Sequence, residues 1–407
     1  MNLKINLLMI ISFRYYEDTL VYAPPTTNIV KNIVRKNQKV DCLYISKKLD
    51  HLKIIEGYTT NYILPCKNFF KSLNNLNIPG LFCYIRRIFF IHKKIHQNQY
   101  NFIYVRNEIF NGLLSLYFRR KYGYIFLFEI ENPLEQDWYF RKIYYPNLQI
   151  FFYIISFIEK TLRMYLLKKA DLVLPISEEL GKYYIKKGIK RSKMYVLDEG
   201  VDLERFSNIE SNIISNKYAL NNYKVFIYLG ALDNARGLNM IIKAFSEVRT
   251  ISKSKLLIVG DGPDRLNLQK LSENLEISDD VIFTGFVDHD KIPNYIGSSD
   301  FGISLIQPLE IYKVSGPIKI IEYMAMRKPV IANKEIVEQN KIVKESKGGI
   351  LINYNKDELV YAMMEMVNNP ESTDEMGKNA YDWIVKNRSY DVLSSAFANR
   401  IYKMISN

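Results

Sequence analysis

The sequence predicts an α/β protein made of two doubly wound, parallel-sheet domains. Three observations carry this. At 407 residues the chain is long for one domain and comfortable for two. From Lys224 onward, short apolar runs alternate with amphipathic helical stretches, as in βαβ units whose sheet is covered on both faces. The first half alternates in the same way, less cleanly, and 48% hydrophobic content is enough to give each half a core.

In chain order, the apolar runs 5–13, 40–45, 102–105, 124–130, 171–176 and 194–197 read as strands of the first sheet. The opening run has one early Lys and no small-residue cleavage site, so it reads as a buried strand rather than a signal peptide. A polar, Asn- and Ser-rich stretch from Phe206 to Asn222 marks the boundary. Runs 225–229, 256–259, 281–284, 301–306 and 329–332 form the second sheet, with helices starting near Gly237, Pro263, Lys291 and Pro317. Residues 381–405 read as a helix that crosses back onto the first half. The expected division is therefore 1–206, 207–385, and a returning C-terminal helix 386–407. No stretch reaches ~18 clean apolar residues, so no membrane-spanning helix is expected.

Composition narrows the partners. Fifty-six Lys and Arg against 43 Asp and Glu give a formal charge of +13, which favours an anionic partner. A membrane surface or a phosphorylated substrate fits. Nucleic acid ranks last, because no RNA- or DNA-binding signature is present. Three Cys and four scattered His make no metal-type spacing, and the cysteine usage fits a reducing cytosol.

In doubly wound sheets, ligands bind beyond the carboxyl ends of the strands. The loops that matter are therefore 230–237, 260–264, 285–288 and 306–316. The last of these leads into SGPIKIIEYMAMRKPVIA, residues 315–332. There a Ser-Gly-Pro start suits a helix whose backbone N–H groups at Ser315, Gly316 and Ile318 face an anion. Lys319 adds a cation, and Glu322, one turn on, is an acceptor pair for sugar hydroxyls. The same residues also fit a plain capped helix with a surface Lys319–Glu322 pair.

Four ordered blocks resemble the retaining glycosyltransferases of family 4. They are LPISEELGKYYIKKGI with KMYVLDEGVDLERF (174–206), YLGALDNARGLNMIIKAF (228–245), LLIVGDGPDRLNLQKL with VIFTGFVDHDKIPNYIGSSDFGISLI (256–306), and the 315–332 segment. The resemblance implies a GT-B fold, two Rossmann-like domains facing a cleft, a nucleotide-sugar donor, retention of configuration and no metal or other cofactor. It makes Arg236, Lys319 and Glu322 the catalytic set. Glu322 would hold the donor ribose, and Arg236 would stabilise the leaving diphosphate. Ser315 and Gly316 would give diphosphate donors, Gly285 and Phe286 would contact the base, and Gly200 would sit on a hinge-side loop near the sugar.

Three departures stand out. A family Glu eight residues before Glu322 falls on Val314. The first basic residue of the usual pair falls on Ala231, with Lys319 or Lys313 as substitutes. The family's N-terminal His is absent from FLFEIENPLEQD (126–137), where Glu129, Glu131 or Asn132 would take the sugar or acceptor contact. The Gly260–Pro263 turn reads as structural, His289 as a surface residue, and Asp198 and Glu199 as a solvated loop pair. Glu178 and Glu179 read as the first turn of a helix capped by Ser177.

The basic aromatic stretch 82–97 fits either a membrane-docking helix or a core-facing one with a solvated edge. Stretch 147–170 is expected to pack in the core. The expected protein is a cytoplasmic transferase, peripheral on the membrane, moving a sugar from a UDP- or GDP-sugar to a glycan or lipid-linked acceptor in surface polysaccharide assembly. A non-catalytic nucleotide-binding scaffold and a sugar-nucleotide epimerase of the same fold are the alternatives.

Overall fold

The computed structural model describes residues 5–15, 28–30, 33, 39–46, 52–56, 59–65, 78–98, 100–144, 146–207 and 209–406. The chain divides into two compact units, Met1–Asp198 with Ser394–Asn407, and Glu199–Leu393.

The first unit holds strands β1 (Asn6–Tyr15), β2 (Lys39–Ser46), β3 (Leu52–Glu56), β4 (Thr59–Pro65), β5 (Phe102–Arg106), β6 (Ile125–Ile130) and β7 (Leu172–Pro175). Their order is β3-β4-β2-β1-β5-β6-β7, parallel throughout except where β3 runs against β4. The order reverses between β1 and β5, so the switch point lies between those strands, with β6 next to β5. There Arg106 pairs in register with Glu129 at the strand ends. The β3–β4 pair was not expected, because Lys53, Glu56, Thr59, Thr60 and Asn61 interrupt both apolar runs. The expected strand at 194–197 is only an isolated bridge from Met194 to Val173, after a short turn at Arg191–Lys193.

The second unit holds β8 (Lys224–Leu229), β9 (Ser254–Val259), β10 (Val281–Phe283), β11 (Phe301–Ser304), β12 (Val330–Asn333) and β13 (Gly349–Ile352). All run parallel in the order β10-β9-β8-β11-β12-β13, with the switch between β8 and β11. Strand side chains alternate between two cores. Phe226 and Tyr228 join Ile241, Phe245 and Met363 on one face, while Val225, Ile227 and Leu229 join Tyr323, Met324 and Ile384 on the other. β13 was not foreseen. Its Gly349 has no room for a Cβ, which would stand 2.0 Å from the Val330 carbonyl oxygen.

The division falls before the expected 206, because Val201 and Phe206 are buried in the second unit's core. Val201 also donates to the Arg388 carbonyl at 2.9 Å and accepts from the Tyr390 amide at 3.0 Å. The expected helix 381–405 is two helices, Pro370–Asn387 and Tyr390–Ser406, broken where Arg388 and Ser389 serve Val201. In the first unit, the Phe397 ring lies 5.6 Å from that of Tyr195.

Two helices of the first unit answer the expectations for the basic aromatic stretches. Ile78–Asn98 buries Arg87, Ile91 and Ile95, with Arg87 paired to Glu108 at 3.3 Å, and leaves Arg86, Phe89 and Lys93 outside. Gln149–Lys169 contradicts the core expectation: Ser156, Arg163, Leu166 and Leu167 face in, and Ile150, Ile154, Phe157 and Ile158 face out. Its buried face is only the narrow side away from those residues. Among the described residues no helix is long and apolar enough to cross a membrane.

One buried bond positions the ligand-facing end of the second sheet. The Leu229 amide, last in β8, donates to the Tyr323 hydroxyl at 2.8 Å. Tyr323 is buried on the helix Ile318–Ala325, and a Cβ on Gly302 would stand 2.3 Å from its ring. Replacing Tyr323 by Phe leaves that amide buried without an acceptor, at a cost of about 1–3 kcal/mol. Urea denaturation should show a lower midpoint with an unchanged slope.

Candidate active site

The site is built where β8, β10 and β11 end. After Leu229 the chain turns at Gly230 (φ +142°) and again at Gly237 (φ +68°), which precedes the helix Leu238–Ile251. Both lie in the left-handed half of backbone space, which favours glycine. Between them, Arg236 sits half-exposed, with Nε 3.6 Å from Asp233 Oδ2 and its guanidinium 5.2 Å from the Tyr312 ring. Tyr312 belongs to the loop after β11, so the two strand-end loops meet at Arg236.

Lys319 reaches the same place from the first turn of Ile318–Ala325. Its ammonium lies 4.0 Å from the Tyr228 ring centre and 3.3 Å from where a Cβ on Gly230 would stand. Burial, and then the Arg236 cation, pull its pKa down from 10.5 to about 7; Glu322 and Asp233 act the other way. Tyr228 is fully buried, its hydroxyl has no hydrogen-bond partner among the described residues, and burial holds its pKa well above the phenol range.

Glu322 is buried one turn along the helix, and its Oε1 lies 3.1 Å from His289 Nε2. His289 is on the short turn His289–Lys291 after β10, and Arg205 donates to its carbonyl. The expected surface histidine is thus part of the site. The signal available in sequence was its place in a strand-end loop, between two acids.

Ser315 departs from expectation. Its amide and its hydroxyl both donate to the Tyr312 carbonyl, at 3.1 and 2.7 Å. It neither caps the helix nor offers a free N–H, because a turn at 312–315 consumes both donors. Pro317 takes the N-cap place, and no side chain caps the helix. Gly316 lies between the turn and this uncapped start.

Of the two lysines considered for the position of Ala231, Lys319 is the one beside the Gly230 loop. Lys313 instead pairs with exposed Glu310 at 2.6 Å. Gly285 (φ +74°) accepts the Gly260 amide at 3.1 Å, and the next residue, Phe286, is exposed. The Gly260–Pro263 turn packs tightly against the loop after β8. A Cβ on Gly260 would stand 1.9 Å from the Gly230 carbonyl oxygen, and one on Gly262 2.2 Å from that of Leu232.

Gly200 lies beside the division between the two units, at the start of the second. Its nearest neighbours are Leu393, Tyr390 and the Arg388 carbonyl, and a side chain would collide with them. Glu199 is buried rather than solvated, and its carbonyl accepts from Arg388 at 3.4 Å. Ser177 does cap its helix, accepting from the Leu180 amide at 3.1 Å.

In the first unit, Arg106 joins two of the predicted carboxylates. It lies 3.3 Å from the fully buried Glu129 and also pairs with Glu131. The Asn132 carbonyl accepts from the Tyr184 hydroxyl at 2.8 Å. Arg106 itself was missed, although a charge closing the apolar run FIYVR marks a strand end.

Family models described as "Glycosyl transferases group 1" and "Glycosyltransferase Family 4" match residues 210–383 and 56–205. The chain belongs to this glycosyltransferase family. It is 25% identical over 331 residues to an uncharacterized glycosyltransferase of Methanocaldococcus jannaschii, covering 78% of each. It is 29% identical over 169 residues to the alpha-D-kanosaminyltransferase of Streptomyces kanamyceticus, 41% of this chain and 42% of that one. It is 25% identical over 215 residues to an alpha-monoglucosyldiacylglycerol synthase of Streptococcus pneumoniae, 51% of this chain and 46% of that one. The last two matches span less than half of those relatives.

Among solved structures, a sucrose-phosphate synthase of Thermosynechococcus elongatus aligns with a TM-score of 0.72 at 15% identity, over 98% of this chain and 99% of that one. Anabaena HepE, in complex with UDP and glucose, aligns with a TM-score of 0.70 at 15% identity, over 97% and 99%. The fold is GT-B, with two parallel-sheet α/β domains.

The lowered Lys319 pKa has a definite sign. Between about 7 and 10.5 the unfolded chain holds a proton on this amine that the folded chain lacks. Its contribution therefore raises stability as pH climbs through that window and is lost as pH falls through 7. Removing the cation in Arg236→Gln should move the Lys319 titration upward, as read by NMR of the 13C-methylated amine.

Proposed function

We propose that the chain is a retaining glycosyltransferase that moves a sugar from a UDP- or GDP-sugar to a glycan or lipid-linked acceptor in surface polysaccharide assembly. It would work at the cytoplasmic face of the membrane. The observation that carries this reading is the convergence of Lys319 and Arg236 at the end of β8, with Glu322 one turn beyond Lys319.

The two cations at this loop repel each other, Asp233 and Glu322 act the other way on Lys319, and a bound anion would relieve the remainder. A diphosphate supplies that anion, and the uncapped start of Ile318–Ala325 adds backbone dipole. Glu322, already oriented by His289, has a second oxygen to accept a ribose hydroxyl. As the sugar–phosphate bond breaks, negative charge builds on the diphosphate, and positive charge builds on the sugar. Fixed cations beside the leaving group lower that barrier without rearranging. Lys319 stands in for the cation missing at Ala231, so the reading calls on no metal. Glu131 or Asn132 is assigned to the acceptor side in the first unit, while fully buried Glu129 is held by Arg106. The relative named for a glucosyldiacylglycerol product supports a lipid-linked acceptor, and the HepE complex supports a UDP-sugar.

Glu322→Ala should lower the affinity for the UDP- or GDP-sugar by tenfold or more in calorimetry, and unchanged affinity would sink the assignment. Arg236→Ala should slow transfer by about 10²–10³ in kcat, the cost of one lost charge-stabilising donor. Because the diphosphate needs Lys319 protonated, UDP affinity should fall about tenfold per pH unit above about 7. The groups facing that amine are Arg236, Asp233, Glu322 and Tyr228, and Lys319→Met should flatten the slope.

A further inference from the structure

The helix Gln149–Lys169 turns its oily side to solvent. Ile150, Ile154, Phe157 and Ile158 share one face by spacing, and they are 81, 54, 62 and 51% exposed. A surface helix in water has the opposite arrangement. The same face runs on through Thr161 to exposed Tyr165, Lys168 and Lys169.

Next to that basic end lies a groove of about 420 Å³ shared with the helix Ile109–Tyr122. From that helix Leu113, Leu116, Tyr117 and Arg120 line it, spaced as one helical face, and Tyr165 and Lys169 line it from the other helix. No lining residue is acidic. Arg119 also lines the groove but is engaged, donating to Asp171 at 2.5 Å and to the Lys169 carbonyl at 3.1 Å. It braces the wall and leaves Arg120 and Lys169 as the outward cations. An apolar floor with a cationic mouth is complementary to an anionic amphiphile, and it continues directly into an exposed apolar stripe.

We propose that this groove seats the headgroup of an anionic phospholipid, with the phosphate at Arg120 and Lys169 and the first part of a chain against Leu113, Leu116 and Tyr117. The stripe from Ile150 to Ile158 lies in the same bilayer interface. This deepens the membrane placement proposed above and is independent of the donor site, since every residue involved lies in the first unit.

The test is co-sedimentation of the full chain with phosphatidylcholine vesicles, with and without phosphatidylglycerol. Anionic vesicles should bind more than tenfold better at low salt. Arg120→Glu with Lys169→Glu should abolish that preference, and Ile154→Ser with Phe157→Ser should weaken binding to both kinds. All four positions are exposed, so both variants should keep the wild-type melting temperature and UDP affinity. Equal binding to the two vesicle types, or none to either, overturns the proposal. So does a concentration-dependent dimer that Phe157→Ser abolishes, which would assign the stripe to a second copy. A chain that binds anionic vesicles but no UDP would overturn the transferase reading and leave the lipid site standing.

Discussion

The hydroxyl of Tyr323, accepting from the last amide of β8, is the contact on which the ligand-facing end of the second unit depends. It joins two pieces that must keep their spacing. One is the strand end that opens into Gly230 and the Arg236 loop. The other is the short helix that carries Lys319 and Glu322. Tyr323 comes from the buried side of that helix, so the bond sits in a low-dielectric core where an unmet amide is expensive. Gly302 on the neighbouring strand gives up its side chain to let the ring in. The spacing between the Gly230 loop and the helix carrying Lys319 and Glu322 is therefore set by core packing.

That rigidity explains how the site tolerates unfavourable electrostatics. Burial, and then the Arg236 cation, bring the Lys319 pKa down to about 7. In a looser scaffold the two side chains would swing apart into water. Here the Tyr228 ring supports the amine and the Tyr312 ring supports the guanidinium, while Asp233 and Glu322 act against the repulsion. The helix brings the Lys319 cation beside the Gly230 loop, next to Ala231.

Most of both sheets was legible because parallel strands covered on two faces must be nearly continuous apolar runs. The β3–β4 pair was not, since charged and polar residues break its runs. The site was legible where chemistry follows spacing, as with Lys319 and Glu322 one turn apart. It was illegible where a fold brings distant loops together. Nothing within the sequence around His289 indicates that it will meet Glu322, thirty-three positions away. Ser315 was misread because a hydroxyl before Gly-Pro can cap a helix or close a turn, and only the path of the chain at Tyr312 decides between them. The Gln149–Lys169 helix was misread because apolar residues predict burial without saying by what.

The contact between Gly260 and the Gly230 carbonyl has a consequence for how such a site can diversify. It is backbone against backbone, with no side chain that could shrink to accommodate a neighbour's growth. A change at Gly260 has no compensating partner, so the turns at Gly230 and Gly260 are locked together. Variation at this end of the sheet is left to the other two strand-end loops, around Phe286 and His289 and around Lys313 and Val314.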